Sequence, residues 1–202
     1  MSLRDHKRAR TRQALVDAAT DLFERQGFEA TTIAQVAAEA EIGTRTFFSY
    51  FPAKEDLLFP ETDQRMRAAV HAIGTRQPDE GPADVLLRAL RLVGEDSDDL
   101  SGRLAALRLR FIREVPSVRG RALQVQFDTQ REIARRLAEA FPEELDEVGA
   151  AAMTGAFVGA ITAALQVLLE DVDDPGDPAQ VQAAVEKAVD RALKPWLIDA
   201  RR

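Results

Sequence analysis

TTIAQVAAEAEIGTRTFFSYFPAKEDLL, residues 31–58, reads as two short helices around a tight turn. Thr32 is a good helix N-cap, and Gln35 three residues on completes a capping-box pattern. Ile33, Val36, Ala37 and Ala40 give one apolar face. An isolated helix of about nine residues is marginal in water, so this one must dock on neighbours. Glu41-Ile42-Gly43 makes the turn, and a third helix runs from about Thr44 to Tyr50. Pro52 ends it by removing a donor and restricting the residue before it. A helix, a turn and a second short helix form a helix-turn-helix. Phe47, Phe48, Tyr50, Phe51 and Phe59 crowd this part of a chain with only ten Phe, one Tyr and one Trp. On a helix, Phe47 and Phe51 share one face, with Tyr50 at its edge. Arg45, Phe48 and Ser49 cluster opposite, flanked by Thr44 and Thr46.

Upstream, Leu15, Ala18, Ala19, Leu22 and Phe23 follow the spacing of one buried stripe. They predict a first helix over 7–26, on which the short helices pack. Gly27 stops it in the usual position after a helix. The start carries Arg4, Lys7, Arg8, Arg10 and Arg12 against Asp5 and reads as a basic arm. No apolar run follows it, so no signal peptide is expected.

Downstream, a fourth helix starts near Lys54, with Glu55 and Asp56 suited to its N-terminal end. Pro60 falls inside it and predicts a kink or restart. GTRQPDEGP, 74–82, is a loop. Further helices are expected at 83–96, 101–114, 117–140 and 143–171. DVDDPGDP is a linker. Asp177-Pro178 is an N-cap and first-position start signal for a last helix that ends at Pro195-Trp196. No alternating strand pattern appears. The expected fold is all-α: a helix-turn-helix domain over 8–56 and a larger helical domain over 57–202.

The chain has 202 residues, no cysteine and a net charge of −7. Disulfides, thiolate metal sites and a cysteine nucleophile are excluded, and a reducing compartment, the cytoplasm, fits. The acidic total argues against a wholly basic nucleic-acid binder, so any DNA contact needs a locally basic face. His6 and His71 sit in no metal-ligand spacing, and no phosphate loop or G-x-S-x-G appears. Glu143-Glu144 and Asp173-Asp174 read as solvated helix ends and linker. No enzyme, cofactor or metal site is expected. Arg45 beside exposed Phe48 suits a major groove, where Arg pairs with guanine and an apolar group touches a thymine methyl. An aromatic-rich helical hairpin in any all-α protein, whether ligand-binding protein or enzyme, shows the same spacing.

ALVDAATDLFERQGFEATTIAQVAAEAEIGTRTFFSYFPAKEDLL, 14–58, resembles the N-terminal DNA-binding domain of TetR-family transcriptional regulators. The features match in order: A-x-x-L-F, G-F, T-T, I-A-x-V-A, the turn, T-F-F-x-Y-F and P-x-K-E-x-L. The resemblance implies a recognition helix around 43–50, with Arg45 and Phe48 facing bases. It places Thr31, Thr32, Thr44, Thr46, Ser49 and Tyr50 near phosphates or base edges, has Lys54 bind phosphate, and lets the basic arm add contacts. Three positions depart from the pattern. Glu41 stands where relatives often have Gly, Gly43 where they often have Ser or Thr, and Ser49 where a bulkier His or Arg is common.

The stretch AAAMTGAFVGAITAALQVLL, 150–169, carries no charge over its length. Its length makes it a membrane-span candidate. Its Ala, Gly and Thr content, with acidic flanks, reads instead as a helix buried on nearly all sides. Gly155, Gly159 and Ala163, spaced by four, allow another helix to approach closely. The resemblance implies that 145–170 and 178–194, with Val185 and Val189, pack into a four-helix homodimer interface, and that the dimer reads a palindromic operator. Phe111, Phe127 and Phe157, with Gln130 and Thr154 among polar neighbours, are candidates for an apolar small-molecule pocket or for plain core packing. Residues 103–141 resemble the mycofactocin-regulator-like branch of the family, which implies an acyl-CoA or fatty-acyl ligand. The combined expectation is a repressor released from its operator by a small molecule.

Overall fold

The computed structural model describes residues 3–60, 62–96, 102–169 and 177–199. Among them the chain forms helices and no strand. In order these are α1 (Leu3–Gln26), α2 (Ile33–Glu39), α3 (Thr44–Phe47), a 3-10 turn (Glu55–Leu58), α4 (Thr62–Gly74), α5 (Pro82–Asp96), α6 (Arg103–Glu114), α7 (Pro116–Ala140), α8 (Glu147–Leu168) and α9 (Pro178–Asp199). The chain divides into two compact units. The first holds residues 1–60 and 103–122; the second holds 61–102 and 123–202.

The punctuation is local. Gly27 adopts φ 81, and its N–H reaches the Phe23 carbonyl at 3.0 Å, closing α1 with a left-handed cap. Thr32 accepts from the Gln35 N–H while the Gln35 side chain accepts from the Thr32 N–H, so the capping box is complete. Asp146 caps α8 through the Gly149 N–H, and Asp177 accepts from Ala179 N–H at the start of α9.

Several expectations need correction. The basic arm is not a tail, because α1 begins at Leu3 and Arg4 to Arg12 lie on it. The third helix is one turn; Ser49 and Tyr50 N–H groups bond three residues back to Thr46 and Phe47, as a tightening turn does. The fourth helix does not start near Lys54: a 3-10 turn over Glu55–Leu58 stands there, and α4 begins at Thr62, a restart after Pro60 and not a kink. The eighth helix begins at 147, after its Asp146 cap. Pro195 does not end α9, which continues to Asp199. Proline there removes one bond, to the carbonyl of exposed Arg191, where solvent can take it. The expected linker lies outside the described residues as far as 176, as does the pair Asp173-Asp174.

In the first unit, α1 packs on α2, α6 and the 3-10 turn. Phe23, Phe28 and Phe111 meet with ring centroids 5.2–5.8 Å apart, and Phe47 and Phe51 join the same buried cluster. Each buried Phe is worth about 1.5–3 kcal/mol, enough to hold a one-turn helix that cannot hold itself. Arg103 on α6 pairs with Asp21 and Glu24 on α1. The hydrogen bond from Arg103 holds the Glu24 carboxyl below its ordinary value. Arg121 donates to Asp56, whose other oxygen accepts from the Ala53 N–H at 2.9 Å.

In the second unit, α4 packs on α5, and α5 and α8 pack on α9. Arg88 on α5 ties down the preceding loop. It donates to Glu80 at 2.7 Å and to the Ala72 carbonyl at 2.8 Å. Val181, Val185, Val189 and Leu193 of α9 are buried at spacings of four. Helix α8 is long and apolar enough to cross a membrane by length and composition. It is not buried on nearly all sides. Ala150, Met153, Thr154 and Phe157 form its one buried face, while Val148, Ala152, Ala163 and Val167 are exposed.

Candidate nucleic-acid interface

The turn before α3 is built by a defined cap. The Ile42 N–H bonds to the Ala37 carbonyl at 2.9 Å and the Glu41 N–H to Ala38 at 3.0 Å. This crossed pair is the Schellman arrangement, and it requires a left-handed residue after the C-cap. Glu41 occupies that position with φ 55, the one non-glycine residue with positive φ among the described residues. Gly43 then caps α3 without a side-chain bond.

Beyond that turn the segment divides by face. Phe47 and Phe51 are buried, and Thr44, Arg45, Thr46, Phe48 and Ser49 are exposed. Phe48 leaves 54% of its surface open, edge-on to Phe47 at 5.4 Å. The open part of the Phe48 ring stands on the same exposed side of the segment as Arg45. The Ser49 hydroxyl donates to the Thr46 carbonyl at 2.7 Å and keeps its lone pairs outward. Tyr50 is half-buried beneath Arg8, whose guanidinium lies 5.1 Å from its ring centroid.

Three expected contacts are displaced. Thr31 is 1% exposed, and its hydroxyl donates to the Gly27 carbonyl at 2.7 Å, so it belongs to the α1–α2 connection. Thr32 is exposed, but its hydroxyl serves the capping box. The Lys54 ammonium donates to the Phe28 and Thr31 carbonyls at 2.7 and 2.8 Å and lies 4.2 Å from the Phe28 ring centroid. It is a clamp on that connection, half-buried, and not an ammonium held out for phosphate.

Arg8 and Arg12 carry contacts that the sequence reading missed. Arg8 donates to the Ser49 carbonyl at 3.0 Å. Arg12 donates to Tyr50 and Pro60 carbonyls, each at 2.9 Å. The available signal was their spacing of four, which puts both on one side of a helix.

Residues 15–59 match the model of bacterial regulatory proteins of the tetR family. Over that stretch the chain is similar to regulators of the TetR family. Among curated proteins, the chain is 29% identical to the HTH-type transcriptional regulator TcmR of Streptomyces glaucescens over 150 residues, covering 72% of this chain and 66% of that one. It is 46% identical to the regulator HbdR of Aromatoleum sp. (strain CIB) over 48 residues, 24% of this chain and 21% of that one. The chain thus spans just under two thirds of the first relative and a fifth of the second. Among solved TetR-family structures, one from Syntrophomonas wolfei superposes with a TM-score of 0.65 at 18% identity, covering 92% of this chain and 96% of that one. Thermus thermophilus FadR in complex with lauroyl-CoA gives 0.54 at 20% identity, covering 90% and 93%. These likenesses establish the helical fold.

The expected pocket residues are not gathered as a set. Phe111 packs in the first unit against Phe23 and Phe28, which accounts for its ring. In the second unit, Phe127 is 68% exposed, Gln130 is half-buried and Phe157 is buried. A groove of about 460 Å³ there is lined instead by Arg76, Glu80, Phe141 and Glu144 among others. Thr154 is fully buried, and its hydroxyl has no hydrogen-bond partner. Thr20 and Thr162, by contrast, donate to the carbonyl four residues back.

The expected dimer residues also separate. A Cβ added at Gly155 or Gly159 meets nothing in this chain, and Ala163 is exposed. Val185 and Val189 are completely buried in the packing of α9, so they offer nothing to a partner and leave the expected interface.

Proposed function

We propose that this chain is a homodimeric, cytoplasmic DNA-binding regulator, a repressor that leaves a palindromic operator when a small apolar ligand binds. The observation that carries the reading is the division of residues 44–51. Phe47 and Phe51 are buried while Thr44, Arg45, Thr46, Phe48 and Ser49 form one exposed face. Arg45 would read a guanine edge, Phe48 would touch a thymine methyl, and the hydroxyls would meet phosphate oxygens. Exposed Arg4, Lys7 and Arg10 on α1 supply local positive charge to an otherwise acidic chain.

The ligand would lie in the second unit and shift a two-state equilibrium toward release, which needs only a few kcal/mol of preference. The lone hydroxyl of Thr154, beside Met153 and Phe157 on the buried face of α8, supports a mostly apolar ligand with a polar group. An acyl-CoA or fatty-acyl ligand accords with the lauroyl-CoA bound by the similar fold of FadR.

The test is selection of bound duplexes from random DNA by the purified chain, followed by titration of the recovered sequence. A palindrome is expected. Arg45→Ala should weaken that duplex by about 1–3 kcal/mol and relax selectivity at one base pair of each half-site. Recovery of no sequence preference at moderate salt would sink the reading.

A further inference from the structure

Helix α3 has only the residues Thr44–Phe47, and its N-cap Gly43 gives no side-chain bond. A one-turn helix does not fix its own direction. Its inner side rests on Phe47 and Phe51. The carbonyls of Thr46 and Phe47 are met within the turn, by the Ser49, Tyr50 and Phe51 N–H groups. The next carbonyls bonded are those of Ser49 and Tyr50, and arginines of α1 take both. Each arginine grips twice. Arg8 lies over the Tyr50 ring, and Arg12 lies 4.1 Å from the Phe51 centroid. Cations at a helix C-terminus also suit the direction of its dipole. Arg12 does one thing more: its second terminal nitrogen reaches the Pro60 carbonyl at 2.9 Å. One planar fork thereby fixes both ends of the segment from Tyr50 to Pro60.

We infer that Arg12, supported by Arg8, is a positioning residue for the recognition turn, setting the angle at which Arg45 and Phe48 meet the bases. This rests on the DNA-binding reading above. A lysine at position 12 keeps the charge but has a single nitrogen and no flat guanidinium. It cannot serve two carbonyls ten residues apart while stacking on Phe51. The half-buried setting of Arg12 separates it from exposed Arg4, Lys7 and Arg10, whose charges remain open to a phosphate backbone.

The experiment uses the full chain, the duplex that the wild type selects from random DNA, and a scrambled duplex of equal length. Affinity for both is followed by fluorescence anisotropy across a salt series. For Arg12→Lys, affinity for the selected duplex should fall about tenfold relative to the scrambled one, the scale of one misplaced base contact. The salt slope should not change, because no charge is lost. An unchanged affinity ratio overturns the inference. So does a parallel loss on both duplexes in Arg12→Gln with a slope smaller by about one, the mark of a phosphate contact. If circular dichroism shows Arg12→Lys unfolded at the assay temperature, Arg8→Lys decides by the same ratio and slope. If the wild type selects no sequence, the DNA-binding reading fails first and the inference falls with it. Specific wild-type binding with an unaltered variant ratio defeats the inference alone.

Discussion

Glu41 shows what one backbone dihedral demands of a side chain. The crossed hydrogen bonds that close α2 need a left-handed residue there, a backbone region that favours glycine. An L-residue held in that region costs about 1–2 kcal/mol. Glycine returns part of this through the entropy it loses on folding, about 0.5–1 kcal/mol. Glu41→Gly should therefore stabilise the chain by about 0.5–1 kcal/mol in urea denaturation. Glu41→Ala, which removes the charge but keeps the Cβ, should give none of that gain. Equal behaviour of the two variants would show that charge, and not backbone strain, governs the site. The position of this strain was legible in the sequence as a departure from pattern. The capping box at Thr32 and Gln35, the stop at Gly27 and the start at Asp177-Pro178 were legible for the same reason: both partners lie within a few residues.

Partners remote in sequence were not legible. Lys54 reaches carbonyls 26 and 23 residues away, and Arg12 reaches carbonyls 38 and 48 residues away. In sequence both are merely basic residues near a DNA-binding motif, and periodicity cannot tell a clamp from an open charge. At this scale Lys54 makes the α1–α2 connection and the 3-10 turn one element. Lys54→Met keeps much of the stem and removes the ammonium from the Phe28 and Thr31 carbonyls. The loss should be about 2 kcal/mol, the range for hydrogen bonds to a charged group. It should appear as a lower unfolding midpoint, with the salt dependence of DNA affinity unaltered. A phosphate contact gives the reverse: an unaltered midpoint and a salt slope smaller by about one. Val185 and Val189 were misplaced for the same reason. Their apolar spacing marks a buried face of α9 but does not say whether its cover is this chain or another.

At the scale of the molecule, α8 offers a face that the chain itself leaves uncovered. Gly155, Gly159 and Ala163 run along the side opposite Ala150, Met153, Thr154 and Phe157. A methyl added at Gly159 meets nothing in one copy. Gly159→Ala should thus favour the isolated helix by about 1 kcal/mol. Against a second copy at close approach, the same methyl should weaken association, so subunit stability and dimer stability should move in opposite directions. Ala163→Arg is the stronger test, because it sets an unpaired charge in the middle of the apolar stripe while leaving the interior of the subunit untouched. Sedimentation should find the arginine variant monomeric at concentrations where the wild type is dimeric, with helix content by circular dichroism preserved. Operator affinity should then drop far more than affinity for an isolated half-site, since the second recognition turn no longer benefits from its link to the first. A dimer that survives Ala163→Arg places the interface elsewhere, and would leave the small-residue stripe of α8 as a packing feature of the subunit alone.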